Sequence, residues 1–286
     1  MMPISYSTHG FPRSSLEFTL DAIASAGFSD IELACDLHAQ GPPTGKVAAQ
    51  ISKQIEGRRL TVATSHAPMG RHTPGAPIET WRNQIVALLS DYIRFVGDLG
   101  AKGIVVHTVP YPQLAQKHGQ LKSLVKPMQT AARRSLDELA PVAGQAGVRI
   151  LLENLPYQGD LPFDYPLITM EQLRRFVEPY PQDQVALVVD VGHAWTNGIE
   201  PSDEIERAGN RLWGVHLQDV DGENPADNHW VPGQGGLDWQ AIREALKAVN
   251  YRGTWTFEVT RPRHDESQAD LAAMTHVFAQ RWATQG

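Results

Sequence analysis

The run Val185-Ala186-Leu187-Val188-Val189, followed at once by Asp190-Val191-Gly192-His193, decides how this chain is read. Apolar residues at every position from Val185 to Val189 leave no face for water, so a strand built from them is covered on both sides. Gly103-Ile104-Val105-Val106-His107 and Val148-Arg149-Ile150-Leu151-Leu152-Glu153 repeat the pattern: an apolar run ending on a side chain able to carry charge. Strands buried on both faces belong to parallel sheets, whose crossover connections lay helices over them.

Working outward, the same unit recurs along the chain. Residues 4–8, 30–34, 60–65, 103–108, 148–153, 185–190, 212–217 and 254–259 read as strands. Between them, 16–26, 46–58, 79–99, 121–145, 170–177, 202–208 and 239–249 carry helical spacing, and 267–283 reads as a closing helix. Gly27, Gly100 and Gly147 supply helix stops. Eight strand–helix alternations predict an α/β protein, a single (β/α)8 TIM barrel over residues 1–286 in one domain. Two longer loops, 69–77 and 219–238, are expected at the C-terminal mouth, where loops carry function.

With 286 residues, 42% of them hydrophobic, the chain is large enough to bury a core without staples. One cysteine, Cys35, excludes an internal disulfide. The formal net charge of −7 leans away from nucleic acid, whose binding rests on basic surface. No apolar run reaches the roughly 20 residues of a membrane span, and the N-terminal residues lack the basic and apolar regions of a signal peptide. The expectation is a soluble cytoplasmic protein.

The polar residues cluster where a buried strand should be apolar. Strand three ends on Ser65-His66, strand four on His107, strand five on Glu153-Asn154 and strand six on Asp190 with His193 behind it. Strand seven carries His216 and then Asp219, its loop holds Asp227-Asn228-His229, and strand eight carries Glu258. Five of the 11 histidines fall in this set. Singly, each has an ordinary explanation: a hydrogen-bonded core histidine, a carboxylate capping a turn. Parallel barrel strands bring their C-terminal ends to one rim, however, and carboxylates and imidazoles gathered in a dry pocket are costly unless a cation sits among them. Oxygen and imidazole donors suit Mn2+, Zn2+, Co2+ or Mg2+, and no cysteine in the set points to a thiolate zinc site. Gly233-Gln234-Gly235-Gly236 lacks the pattern of a nucleotide loop and reads as a flexible turn or a loop bending over the site. Trp213 and Trp255 read as core.

The series Glu153-Asn154-Leu155-Pro156, Asp190-Val191-Gly192-His193, Val215-His216-Leu217-Gln218-Asp219, the stretch from Asp227-Asn228-His229-Trp230 to Gly235, and Phe257-Glu258 resembles the xylose isomerase-like TIM-barrel superfamily. It is most similar to the sugar phosphate isomerase/epimerase branch, which shares its domain with endonuclease IV. The resemblance implies a divalent metal held by Glu153, Asp190, His216 and Glu258, with substrate contacts from His193, His66, His107 and Trp195. It implies a carbohydrate substrate and proton transfer through a metal-bound enediolate, with Glu153 and Glu258 as the two bases. Specificity would sit in the loops, at residues such as Trp81, Tyr111, Tyr157 and Trp195. Homo-oligomers are common in the superfamily. An endonuclease IV-like phosphodiesterase is the rival, because His66, His107, His193, Asp227 and His229 stand where further metal ligands would, and Gln158-Gly159 resembles that family too. Asn228, where the nuclease family tends to place arginine, and the acidic charge stand against it. A lyase or dehydratase on the same scaffold is the third reading.

Overall fold

Eight parallel strands pair in chain order and close on themselves: β1 (Ile4–Ser7), β2 (Asp30–Ala34), β3 (Thr61–His66), β4 (Gly103–His107), β5 (Arg149–Glu153), β6 (Val185–Asp190), β7 (Leu212–Leu217) and β8 (Trp255–Phe257). This computed structural model describes residues 2–35, 41–224 and 226–284. The helices are α1 (Leu16–Ala26), α2 (Gly45–Glu56), α3 (Glu79–Asp98), α4 (Pro112–Ala115), α5 (Leu121–Ala146), α6 (Met170–Val177), α7 (Val191–Thr196), α8 (Pro201–Ala208), α9 (Trp239–Ala248) and α10 (Gln268–Thr284). No helix among the described residues is long and apolar enough to cross a membrane.

The expected (β/α)8 barrel is the fold observed. Strand ends differ slightly from the sequence expectation, most at the last strand, where residues 254–259 shorten to Trp255–Phe257. The short α7 was not foreseen. It begins because the Asp190 carboxylate accepts the His193 amide at 2.7 Å, an N-cap that turns the chain immediately after β6.

Strand alternation divides the core in two. Residues of one parity, such as Val106, Leu152, Leu187 and Val189, join the large cluster between sheet and helices. Residues of the other parity, Val105, Leu151, Ala186 and Val188, form a small separate cluster with Trp213 packed against it, filling the barrel interior. Two residues further along the same strands stand His107, Glu153 and Asp190. Pairing of His107 with Glu153 and of Asp190 with His216 sets these groups at one level. Trp255 is buried against Trp282, as expected of a core residue, whereas Trp213, also expected in the core, is only half-buried, packed against the small cluster.

The loop 219–238 is fastened rather than loose. The buried Asp219 carboxylate accepts the amides of Val220, Gly233 and Leu237 and the Trp239 indole N–H at 3.0, 2.7, 3.2 and 3.0 Å. The glycine cluster is therefore a packed strap and not a flexible turn: a Cβ at Gly235 would overlap Val220 O and the Asp219 carboxylate. Gly235→Ala is expected to cost about 1–3 kcal/mol, the usual penalty of overpacking. Urea unfolding at fixed pH with a chelator present checks this; an unchanged midpoint would show that the strap yields freely.

Candidate active site

Interior-facing residues at the C-terminal ends of the strands converge on Glu153, which is 0% exposed. Its Oε1 lies 2.8 Å from His216 Nδ1. Its Oε2 lies 3.1 Å from His107 Nε2 and 3.4 Å from His66 Nε2. His66 is oriented from behind by Ala67 O at 2.8 Å from Nδ1, and His107 by the Tyr157 hydroxyl at 3.1 Å. On the far wall, Glu258 Oε2 lies 3.2 Å from His216 Nδ1, and its Oε1 lies 3.0 Å from His9 Nδ1. Asp190 completes the floor. The Gln218 side-chain amide donates to both its oxygens, at 3.1 and 3.2 Å. Asn154 exchanges hydrogen bonds with the Asp190 backbone, at 2.7 and 2.9 Å, locking β5 to β6 at this level.

A third arm comes from the strapped loop. His229 Nε2 lies 2.9 Å and His193 Nε2 3.5 Å from Asp227 Oδ1. The Glu258 carbonyl holds His229 Nδ1 at 2.8 Å, and the Asn154 carbonyl holds His193 Nδ1 at 2.9 Å. His229 adopts φ 54°, a left-handed conformation that aims its ring inward.

These side chains form three groups, each with donor atoms within 4.8 Å of one another: Glu153, Asp190, His216 and Glu258; His66, His107 and Glu153; His193, Asp227 and His229. The convergence of oxygen and imidazole donors, with the carboxylates of the first group all buried, fits a divalent ion. Above the groups opens a cavity of about 370 Å3, lined in part by His9, Tyr111, Tyr157, His193, Glu258 and Arg261.

The electrostatics of the side chains themselves show what the cluster demands. Burial pushes Glu153 toward its neutral form, but His216, His107 and His66 outweigh burial and hold its carboxyl well below the ordinary range. Glu258 is likewise held low, against burial, by His216 and His9. Asp190 goes the other way, because burial prevails over the pull of His193. His216 resists burial through Glu32, Glu153 and Glu258 and is raised well above 6.5. His229, against burial, is pushed up to about 10 by Asp227.

All the residues expected from sequence at the metal centre meet here. His66 is buried and is not among the cavity-lining residues. Trp195 is not among the cavity-lining residues; its indole donates to the Asp221 carbonyl at 3.2 Å. Of the expected specificity residues, Tyr111 and Tyr157 line the cavity, whereas the Trp81 indole bonds Arg71 O. The Gln158 side chain serves its own loop, bonding Leu161 O, Phe163 O and the Tyr165 amide. Sequence reasoning missed His9, Glu32 and Gln218. A glutamate between Ile31 and Leu33 in a buried strand was the available signal for Glu32.

A closed parallel barrel with imidazoles and carboxylates gathered at its C-terminal rim defines the class of protein. Residues 20–277 match the family described as xylose isomerase-like TIM barrel, and the chain belongs to that family. It is 26% identical to the L-ribulose 3-epimerase of Mesorhizobium japonicum, over 95% of this chain and 84% of the relative. It is 25% identical to the inosose dehydratase of Geobacillus thermodenitrificans, over 90% of this chain and 87% of the relative. An uncharacterized protein of Methanocaldococcus jannaschii is 26% identical over 90% of this chain and 83% of the relative. Among solved structures, D-psicose 3-epimerase in the presence of D-fructose superposes with a TM-score of 0.80 at 18% identity, covering 100% of both chains.

The histidine shifts carry a sign. His229 releases its proton near 6.5 when unfolded and near 10 when folded, so its stabilisation is complete below 6.5 and is lost as pH rises toward 10. With a chelator present, the melting temperature is expected to fall over that window, and to fall less steeply in His229→Gln. Differential scanning calorimetry across the window is the check; equal slopes would refute the assignment.

Proposed function

We propose that this chain is a divalent-metal-dependent sugar isomerase or epimerase that moves a proton at a carbon next to a carbonyl. The observation that carries the reading is the pair Glu153 and Glu258. They stand on β5 and β8, both close to His216 Nδ1 and both held deprotonated by imidazoles, beneath a cavity sized for a small sugar. Glu153, Asp190, His216 and Glu258 would hold the ion, which when bound supplies Lewis acidity that makes a C–H beside a sugar carbonyl easier to ionise.

The chain's own residues do the rest. One glutamate accepts the proton through a free oxygen lone pair, leaving a planar carbon. For inversion the other must first take a proton from solvent water and then deliver it from the opposite side, the first glutamate afterwards releasing its proton to solvent. Return of the abstracted proton by the first glutamate to the neighbouring carbon isomerises instead. His193, on the cavity wall, is placed to hold a substrate hydroxyl. Tyr111, Tyr157, Met69 and Pro156 wall the cavity with apolar surface and keep water from the exposed carbanion. Arg261 is the one Lys or Arg among the described residues of the lining, and its Nη1 already donates to Asp227 O at 2.7 Å, which favours an unphosphorylated sugar.

A second reading has its own observation. Three donor groups sharing Glu153 would suit several ions and phosphodiester hydrolysis, in which clustered cations stabilise attacking and leaving oxygens together. The third, a dehydratase, would use the same two glutamates.

One experiment separates them: metal content of the purified chain, then deuterium exchange from D2O into a panel of ketoses and keto-inositols, phosphorylated and not. Metal-dependent exchange that drops by about 10^2–10^4 in Glu258→Gln is expected. No exchange with any ketose, together with cleavage of abasic DNA, would overturn the isomerase in favour of the nuclease. Loss of water from a keto-inositol would do so in favour of the dehydratase.

A further inference from the structure

Glu32 lies outside every donor group described above, yet it is 1% exposed on β2, against the back of His216. Its Oε2 accepts the Thr64 hydroxyl at 2.8 Å and lies 3.2 Å from His216 Nε2. The other face of the same imidazole, Nδ1, is the one turned to Glu153 and Glu258. Glu32 Oε1 is buried without a hydrogen-bond partner. An anion placed in a dry strand with one oxygen unsatisfied costs free energy.

The hydrogen-bond inventory says what the carboxylate achieves. An ionised carboxylate only accepts, and Thr64 has spent its single hydrogen on it. The contact to His216 therefore requires a hydrogen on Nε2. A neutral imidazole carries one N–H and one lone pair, so the lone pair then lies on Nδ1 and faces the Glu153, Asp190 and Glu258 carboxylates. Without Glu32, Glu153 and Glu258 would draw the ring hydrogen to Nδ1, where it blocks a cation.

We propose that Glu32 is the positioning residue of the metal centre, holding His216 in the tautomer that presents Nδ1 to the ion. The Thr64 hydroxyl fixes the carboxylate in turn, so the chain of contacts runs Thr64, Glu32, His216, metal. This rests on the reading of Glu153, Asp190, His216 and Glu258 as a metal site. Outer partners of this kind typically govern metal affinity by 10–100-fold, through tautomer, ring orientation and ligand basicity.

The test is metal affinity itself, measured by competition between a chelating dye and the folded full-length chain for Mn2+ and for Zn2+. Glu32→Gln, which keeps the volume, is expected to weaken both by about 10–100-fold, and Thr64→Val to weaken them less. In Zn2+-loaded protein labelled with 15N-histidine, the His216 Nε2–H resonance should sit far downfield, as in a bond to a carboxylate, and move upfield in Glu32→Gln. Glu32→Ala extends the series if it folds; Glu32→Gln decides if it does not. Unchanged affinities and an unmoved resonance would overturn the role of Glu32 alone. A folded natural chain that binds neither ion would overturn the metal reading beneath it, and this role with it.

Discussion

The structure turns on one unfavourable thing made favourable: carboxylates at the centre of a protein. Glu32, Glu153, Asp190 and Glu258 are all 4% exposed or less. A buried anion survives only beside positive charge or strong donors: the imidazoles of His9, His66, His107 and His216 meet the oxygens of Glu32, Glu153 and Glu258, and the Gln218 amide and the His193 backbone N–H meet those of Asp190. Protons meet part of that demand, and the surrounding carboxylates raise His216 and His229 above the ordinary imidazole range. A divalent ion would bring the same positive charge to a smaller volume and leave the histidines neutral, so protons and metal compete for one site.

Barrel geometry is what allows such a cluster to exist without collapsing the fold. Alternation along each strand gives the interior an apolar plug of Val105, Leu151, Ala186 and Val188, and the next interior position on those strands is a site residue. The plug seals the lower end, so the charged layer faces solvent on one side only. Strand backbones then fix the separation of the donors, and the Asp219 strap adds Asp227 and His229 from a loop that would otherwise wander. The strap costs a second buried carboxylate outside the donor set, satisfied by four donors and not by a histidine.

That division explains what could be read in advance. The apolar runs ending in His107, Glu153 and Asp190 were legible because an uninterrupted apolar strand makes its polar last residue conspicuous. Glu32 escaped because Asp30-Ile31-Glu32-Leu33 alternates, and an alternating strand normally turns its acids to water; only closure of the barrel turns that face inward. His9 escaped because it follows β1 in a single turn, Thr8–Gly10, with no sequence sign of its direction. The glycine cluster at 233–236 was legible as a loop but not as a strap, since its partner Asp219 holds it through the backbone amides of Gly233 and Leu237, which leave no mark in the sequence. Trp195, on α7 itself two residues after His193, is carried off the cavity by the turn of that helix.

Glu153 carries the deepest constraint on the chemistry. Its two oxygens face different donor groups, Oε1 toward His216 and Oε2 toward His66 and His107. A carboxylate acting as a base needs a lone pair free to meet a C–H, and a carboxylate bridging two cations has both oxygens committed. Filling the His66–His107 group therefore works against proton abstraction by Glu153 and leaves Glu258, whose Oε1 meets His9 and not a second donor group, as the more available base. Occupancy of that one group by a cation would thus be a physical boundary between the proposed proton transfer and phosphodiester chemistry on the same nine side chains. With no cation between His66 and His107, Glu153 would be a base beside a single-ion site in the proposed reaction; with a cation there, it would become a bridge.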